Sequence, residues 1–431
     1  MPDEPRPSIE RRGVARVEGR HWVSPFNFLP EVTAAFDFPA PLTLIDSTLR
    51  KVIYTAGVRP SVADLRAIAD VLIEIGVRDE SLNVWWWGED EPSAIEMAAV
   101  EALGAARLPW RLNVFTDTLV GDGTRPMPRM RETVDRMAAA GVASLSPGLI
   151  EPPDADAAAR QRDQFHALGE AARAAGLALT LTVAQCGRRD FDAMVAGANV
   201  AIEAGIGRLD PMDSTSALSP HAMAHFVRAW RARLVRPVPM TMHAHNEFGM
   251  MTACAVAAVT AGASPDVALN GVSYRSGFAP LEEVALALDV LYGLDTGIRL
   301  DRLTWASERL AALMDFPVPP LKAVVGAHQF LRESPAELTR TLPEHALDAF
   351  PQGGSPIDPA LVGGRMRWVY GKQASAGLVR AMAAHFGVAL AADRLAVARA
   401  ELDARLAAKR AYPKWLEPDE VEQVLRAVAA G

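Results

Sequence analysis

The stretch His243-Ala244-His245-Asn246 carries two imidazoles two residues apart, directly after the apolar residues 238–242. Side chains at i and i+2 of a strand leave the same face. A strand here therefore aims both rings into one space, an arrangement that divalent-metal sites use. The alternative is a pair of structural histidines bonded to buried carbonyls. Other reactive residues also follow short apolar runs. Asp46-Ser47-Thr48-Leu49-Arg50-Lys51 follows 42–45, and Trp85-Trp86-Trp87 ends the run that begins at 82. Gln185 and Arg188 follow 179–183, Asp210 and Asp213 follow 208, and Asn270, Tyr274 and Arg275 follow 267–269.

The elements that must position these residues alternate. The predicted strands are 42–45, 82–86, 112–115, 142–145, 179–183, 208–210, 238–242 and 267–269. Ala-rich segments with helical spacing separate them, such as 62–75, with Ser61 as its N-cap. Gly76, Gly141, Gly176 and Gly205 sit where helices should end before the next strand. Eight such units over about 250 residues predict an α/β chain folded as a TIM (β/α)8 barrel. In that fold the residues after the strands converge on one mouth, and a doubly wound open sheet is the rival. No glycine-rich phosphate loop opens any helix. Past residue 300 the pattern breaks at Pro317, Pro319 and Pro320, then at Pro351, Gly353, Gly354, Pro356 and Pro359. Helices are predicted at 375–386 and 392–409. The division is an N-terminal arm at 1–40, a barrel at 41–300 and a C-terminal helical appendage at 301–431.

Composition narrows the function. The 431 residues are half hydrophobic, enough for a sizeable core, and the net charge is −8. With no basic block interleaved with aromatics, nucleic acid is not an expected partner. Cys186 and Cys254 give no disulfide framework and suit a reducing cytoplasm, where Cys186 reads as a small buried residue. No apolar run spans a bilayer and no signal-peptide pattern opens the chain, so a membrane is not expected either.

Three segments resemble the signatures of the homocitrate, isopropylmalate and citramalate synthases and hydroxymethylglutaryl-CoA lyase. Residues 46–57 match D-T-T-L-R-D-G-E-Q-x-x-G, residues 243–249 match H-x-H-N-D-x-G, and residues 270–284 match N-G-x-G-E-R-A-G-N-x-x-L-E-E-V. Order and spacing agree. Gly326 to Ser334, Pro359 to Gly363 and Val369 to Lys372 resemble segments of the synthases beyond the barrel. The resemblance implies a barrel that makes or breaks C–C bonds through an enolate and a homodimer completed by the appendage. It also implies a metal held by an Asp, both histidines and, in some members, an Asn. No leucine-sensing regulatory domain is expected.

The departures fall on that metal site. The Asp is Lys51 and the Asn is Phe278, while the Glu and Gln after the Asp are Ile53 and Tyr54. A carboxylate of the fifth strand falls on Ala184, and the His of the appendage falls on Glu337, a candidate replacement base. An ammonium group repels a divalent cation and does not ligate it. The expectation is therefore no cofactor, with a divalent metal on His243 and His245 as the alternative.

Lys51 then has two chemistries open. A neutral amine forms a Schiff base; a protonated one stabilises an enolate oxygen. Arg50 matches the enolate-stabilising arginine. Tyr54 and Tyr274 are either proton donors, with pKa values lowered by the nearby cation, or fillers of an altered site. The expected catalytic set is Arg50, Lys51, Tyr54, His243, His245 and Tyr274. The expected substrate contacts are Asp46, Trp85, Arg188, Asp213, Asn246 and Arg275. Trp85 and Trp87 would form a wall, with Trp86 on the opposite side as packing. The expected reaction is C–C bond formation or cleavage on a 2-oxo acid, with or without an acyl-CoA partner. The alternatives are a metal-dependent synthase whose shell recruits Asp46 or Asp213, and an inactive barrel acting as a binding subunit.

Overall fold

The computed structural model describes residues 14–343, 355–371 and 374–431. Residues 1–13 of the arm, with Pro351, Gly353, Gly354 and Lys372, lie outside the described residues.

Eight parallel strands close into a barrel. They are β1 (Ile45–Asp46), β2 (Asp79–Val84), β3 (Arg111–Thr116), β4 (Ser144–Ser146), β5 (Ala178–Ala184), β6 (Arg208–Asp213), β7 (Thr241–Ala244) and β8 (Ser264–Val267). Closure is made by β8 against β1, where Asp266 pairs with Ile45 and Val267 with Asp46. The expected TIM barrel is therefore the fold.

Helices follow the strands. After β1 come α1 (Thr48–Tyr54) and α2 (Val62–Glu74). In α2, Leu65, Ile68, Ala69 and Leu72 recur at helical spacing and are fully buried. Leu65, Ile68 and Leu72 each contribute about 1.5–3 kcal/mol by leaving water. Ser61 caps this helix as expected: its hydroxyl accepts from the Asp64 N–H at 3.1 Å, and the Asp64 carboxylate accepts from the Ser61 N–H at 2.9 Å. Gly205 has φ +118 at the turn into β6, a conformation that a side chain would strain.

Several strand limits differ from the sequence reading. The eighth strand ends at Val267, and Leu269–Gly271 is a 3-10 turn with Asn270 at φ 60. The seventh begins at Thr241 and contains His243 rather than ending before it. Pro237 and Pro239 precede that strand, and proline supplies no ladder N–H.

Contacts divide the chain into two compact units, one spanning Phe26–Val318 with the barrel and one made of Val14–Pro25 and Pro319–Gly431. The second unit has its own core around Leu378, Met382, Leu402, Val421 and Leu425. Its helices are α3 (Pro335–Thr341), α4 (Ala376–His385), α5 (Ala392–Ala408) and α6 (Pro418–Ala430). The sequence reading anticipated α4 and α5 within a residue or two and missed α3 and α6. Both missed helices begin with proline, Pro335 and Pro418, which suits the first helical turn. Among the described residues, no helix is long and apolar enough to cross a membrane.

Candidate active site

α1 starts two residues after β1, so its first turn stands at the barrel's C-terminal mouth and turns Arg50 and Lys51 inward. Both are 3% exposed. The Lys51 ammonium nitrogen Nζ lies 3.4 Å from Nε2 of His243 and 3.3 Å from Nε2 of His245. The i, i+2 reading of the two histidines therefore holds, and what they share is an amine. The Phe278 ring centre is 4.2 Å from Nζ and that of Tyr274 is 5.4 Å away.

His243 has a defined partner on its other nitrogen. Its Nδ1 is 2.6 Å from Oδ2 of Asp266, on β8. The other Asp266 oxygen accepts from the Ser47 hydroxyl at 2.6 Å, and Arg50 donates to Oδ2 at 3.0 Å. Arg50 Nη2 also lies 2.9 Å from His243 Nδ1 and can only donate, but the Asp266 carboxylate is nearer at 2.6 Å; with Asp266 accepting from it, Nδ1 carries the proton and the Nε2 lone pair faces Lys51. Arg50 also donates to Ser47 at 2.8 Å, while its Nε is buried without a partner. Nδ1 of His245 is likewise buried and unbonded.

Burial sets the protonation balance. It holds the Lys51 amine well below the usual lysine range, with the Arg50 cation adding to the effect. It also holds His243 well below the ordinary imidazole value and lowers His245, with the Lys51 charge as the next cause in each. Burial raises Asp266 against the opposing pull of Arg50. Asp210, on β6, is pushed up to about 7 by burial and then by Asp266, and its Oδ1 is buried without a hydrogen bond. Glu80 is raised well above the carboxylate range by burial and by Asp46, which burial pushes up to about 6.

The other expected residues divide into two groups. Tyr274 is 37% exposed, with its ring 4.6 Å from that of His245. Arg275 stacks on Tyr274 and pairs with Glu247 at 2.8 Å. Trp85 stacks on Trp87 at 4.5 Å and meets Phe115 at 4.8 Å, while Trp86 is buried on the opposite side, as alternation requires. Arg188 is exposed in the loop after β5. Asp46 and Asp213 are instead fully buried. The oxygens of Asp46 accept from the N–H and hydroxyl of Thr48 at 2.8 and 3.0 Å. Those of Asp213 accept from the N–H groups of Ala217 and Leu218 at 2.9 and 2.8 Å. Asn246 accepts from the Met251 N–H at 3.1 Å. In the second unit, Glu337 pairs with Arg332 at 3.2 Å.

Tyr54 corrects an expectation. Its phenol donates to Glu96, and burial together with that carboxyl pushes its pKa up, not down. Asp266 and Asp210 were not among the expected catalytic or substrate-binding residues. Asp266 lies inside a strand, whereas the candidate residues were those that follow strands. A lone acid between Pro265 and Val267 was the available signal.

These residues do not fit a divalent cation. The space between the two Nε2 atoms holds Nζ, and the two remaining donor positions are Lys51 itself and the apolar ring of Phe278. Among the described residues, no group of three His, Cys, Asp or Glu side chains could hold a metal.

Comparison with known proteins agrees with this architecture. Residues 154–310 match the HMGL-like family model. The chain is 30% identical to 2-isopropylmalate synthase 2 of Caldanaerobacter subterraneus over 78% of this chain and 84% of that one. It is 30% identical to homocitrate synthase AksA of Methanopyrus kandleri, over 84% and 87% respectively. Among solved structures, hydroxymethylglutaryl-CoA lyase from Pseudomonas aeruginosa aligns with a TM-score of 0.52 at 16% identity, covering 65% of this chain and 95% of that one, a likeness of fold. With its three signatures in order on a closed barrel, the chain belongs to the HMGL-like family, alongside the isopropylmalate and homocitrate synthases.

Proposed function

We propose that this chain is an enzyme that makes or breaks a C–C bond next to the carbonyl of a 2-oxo acid, with an acyl-CoA as the other substrate in the synthetic direction. Family membership supports the reaction class. The observation that carries the finer reading is the Lys51 amine, which stands between His243 and His245 where relatives would hold a cation.

In this reading the substrate's carbonyl faces Lys51. The unpartnered Nε–H of Arg50 meets a substrate oxygen, since a buried donor left unbonded is costly. Tyr274, Arg275, Arg188 and Trp85 line the entrance and contact the rest of the substrate. Asp210, with its carboxyl at about 7, moves the proton at the carbon next to the carbonyl. The carboxylates that a rearranged metal shell would recruit, Asp46 and Asp213, are already engaged by local donors. A cytoplasmic homodimer belongs to the same reading.

The test is a thiol-release assay pairing acetyl-CoA with pyruvate, 2-oxoisovalerate and 2-oxoglutarate in turn, with and without chelator, alongside elemental analysis of the protein. Turnover that survives chelation supports the reading. Turnover abolished by chelator and restored by a divalent ion would sink it.

A further inference from the structure

Lys51, His243 and Asp266 form a row with the order nucleophile, base, orienting acid. Nζ is 3.4 Å from Nε2 of His243, and Nδ1 is 2.6 Å from Asp266, which Ser47 and Arg50 hold in turn. Such a row is the geometric mark of an activated nucleophile. Lys409 of this chain pairs with the Glu420 carboxylate at 2.7 Å. Lys51 instead faces two imidazole nitrogens and the rings of Phe278 and Tyr274, and no carboxylate among the described residues lies within ion-pair distance of it.

We infer that Lys51 is a covalent catalyst whose amine forms an imine with the carbonyl of a 2-oxo acid, with His243 as the base and Asp266 as the residue that orients it. The inference rests on the preceding reading, that the oxo acid's carbonyl faces Lys51. The imine supplies the electron sink that a chelated cation supplies elsewhere, which gives the loss of the metal donors a chemical purpose.

The step balances. The Nζ lone pair forms the C–N bond as the carbonyl π pair moves to oxygen. His243 Nε2 takes one amine hydrogen as a proton and gives it to that oxygen, leaving a carbinolamine. The second amine hydrogen follows by the same route, the C–O bond breaks, and water leaves with both hydrogens. The nitrogen pair closes the C=N bond. Nothing is oxidised or reduced. Asp266 stabilises the transient imidazolium, which is its role in any such row.

The experiment is borohydride reduction of the full-length protein with pyruvate, 2-oxoisovalerate or 2-oxoglutarate, read by intact mass and peptide mapping. Binding of each acid is measured separately by thermal shift. The expected result is one reduced adduct per chain on Lys51 with the acid that binds. It should be absent in Lys51→Arg, whose guanidinium reaches the same space but forms no stable imine, and turnover should be lost with it. An acid that binds and is turned over but leaves no adduct, with Lys51→Arg retaining turnover, would overturn the inference and leave the preceding reading intact. If none of the three acids binds, the preceding reading fails, and this inference with it.

Discussion

His243 and Asp266 are joined at 2.6 Å across neighbouring strands β7 and β8, and this contact fixes which imidazole nitrogen faces Lys51. Asp266→Asn keeps the size but offers an amide that can donate to Nδ1. The protonated nitrogen would then turn toward Lys51 and block its role as acceptor. Activity should fall by about 10²-fold or more with the fold retained. Turnover by the asparagine variant within a few-fold of the parent, with an unchanged circular dichroism spectrum, would remove Asp266 from the mechanism.

Lys51→Asp exchanges the amine for a carboxylate beside two imidazoles. Three donors then surround a space that the amine had filled, a set suited to zinc. The variant should take up about one divalent ion per chain by elemental analysis and lose the parent activity. A variant that gains metal and also gains activity would mean that Lys51 is an impairment rather than a catalyst.

Most of the scaffold was legible in the sequence, because apolar runs and helix-ending glycines report local backbone needs directly. Ser61 is an example of a cap read correctly, and the structure adds its reciprocal bonds with Asp64. The convergence of His243 and His245 was also legible, since strand alternation alone aligns them. Asp266 was not, because its role depends on a neighbour 23 residues away in sequence, reached only when the strands pair. The inversion at Tyr54 has a similar origin. The nearby cation was visible in the text, but the nearer Glu96, on the helix after β2, was not.

Tyr54→Phe tests that correction. Glu96 is buried and Tyr54 half-buried, and Glu96 also accepts from the Trp85 N–H at 2.8 Å. Removing the hydroxyl leaves a carboxyl oxygen without its donor and should cost about 1–2 kcal/mol of stability, measured by denaturant unfolding. Turnover should change little, since the phenol is held by Glu96 rather than aimed at the amine. A hundredfold loss of turnover at unchanged stability would restore Tyr54 as a proton donor.

Asp210→Asn separates a stability effect from a catalytic one by pH. In the folded chain Asp210 titrates at about 7, against an ordinary value of 3.8. A carboxyl raised on folding favours the folded state at low pH, and that contribution is lost as pH rises through the folded value. The parent's contribution from this residue is therefore fully present below about pH 4 and gone above about pH 7. Asparagine does not titrate, so the variant's melting temperature should gain on the parent's between those limits and level off above them. The gain amounts to at most a few kcal/mol. Activity should behave differently. If Asp210 moves the proton at carbon, the parent's kcat rises through about pH 7 and the variant loses both that limb and most of its rate. A melting-temperature difference that stays flat across this range would show that Asp210 titrates normally and is not the poised base.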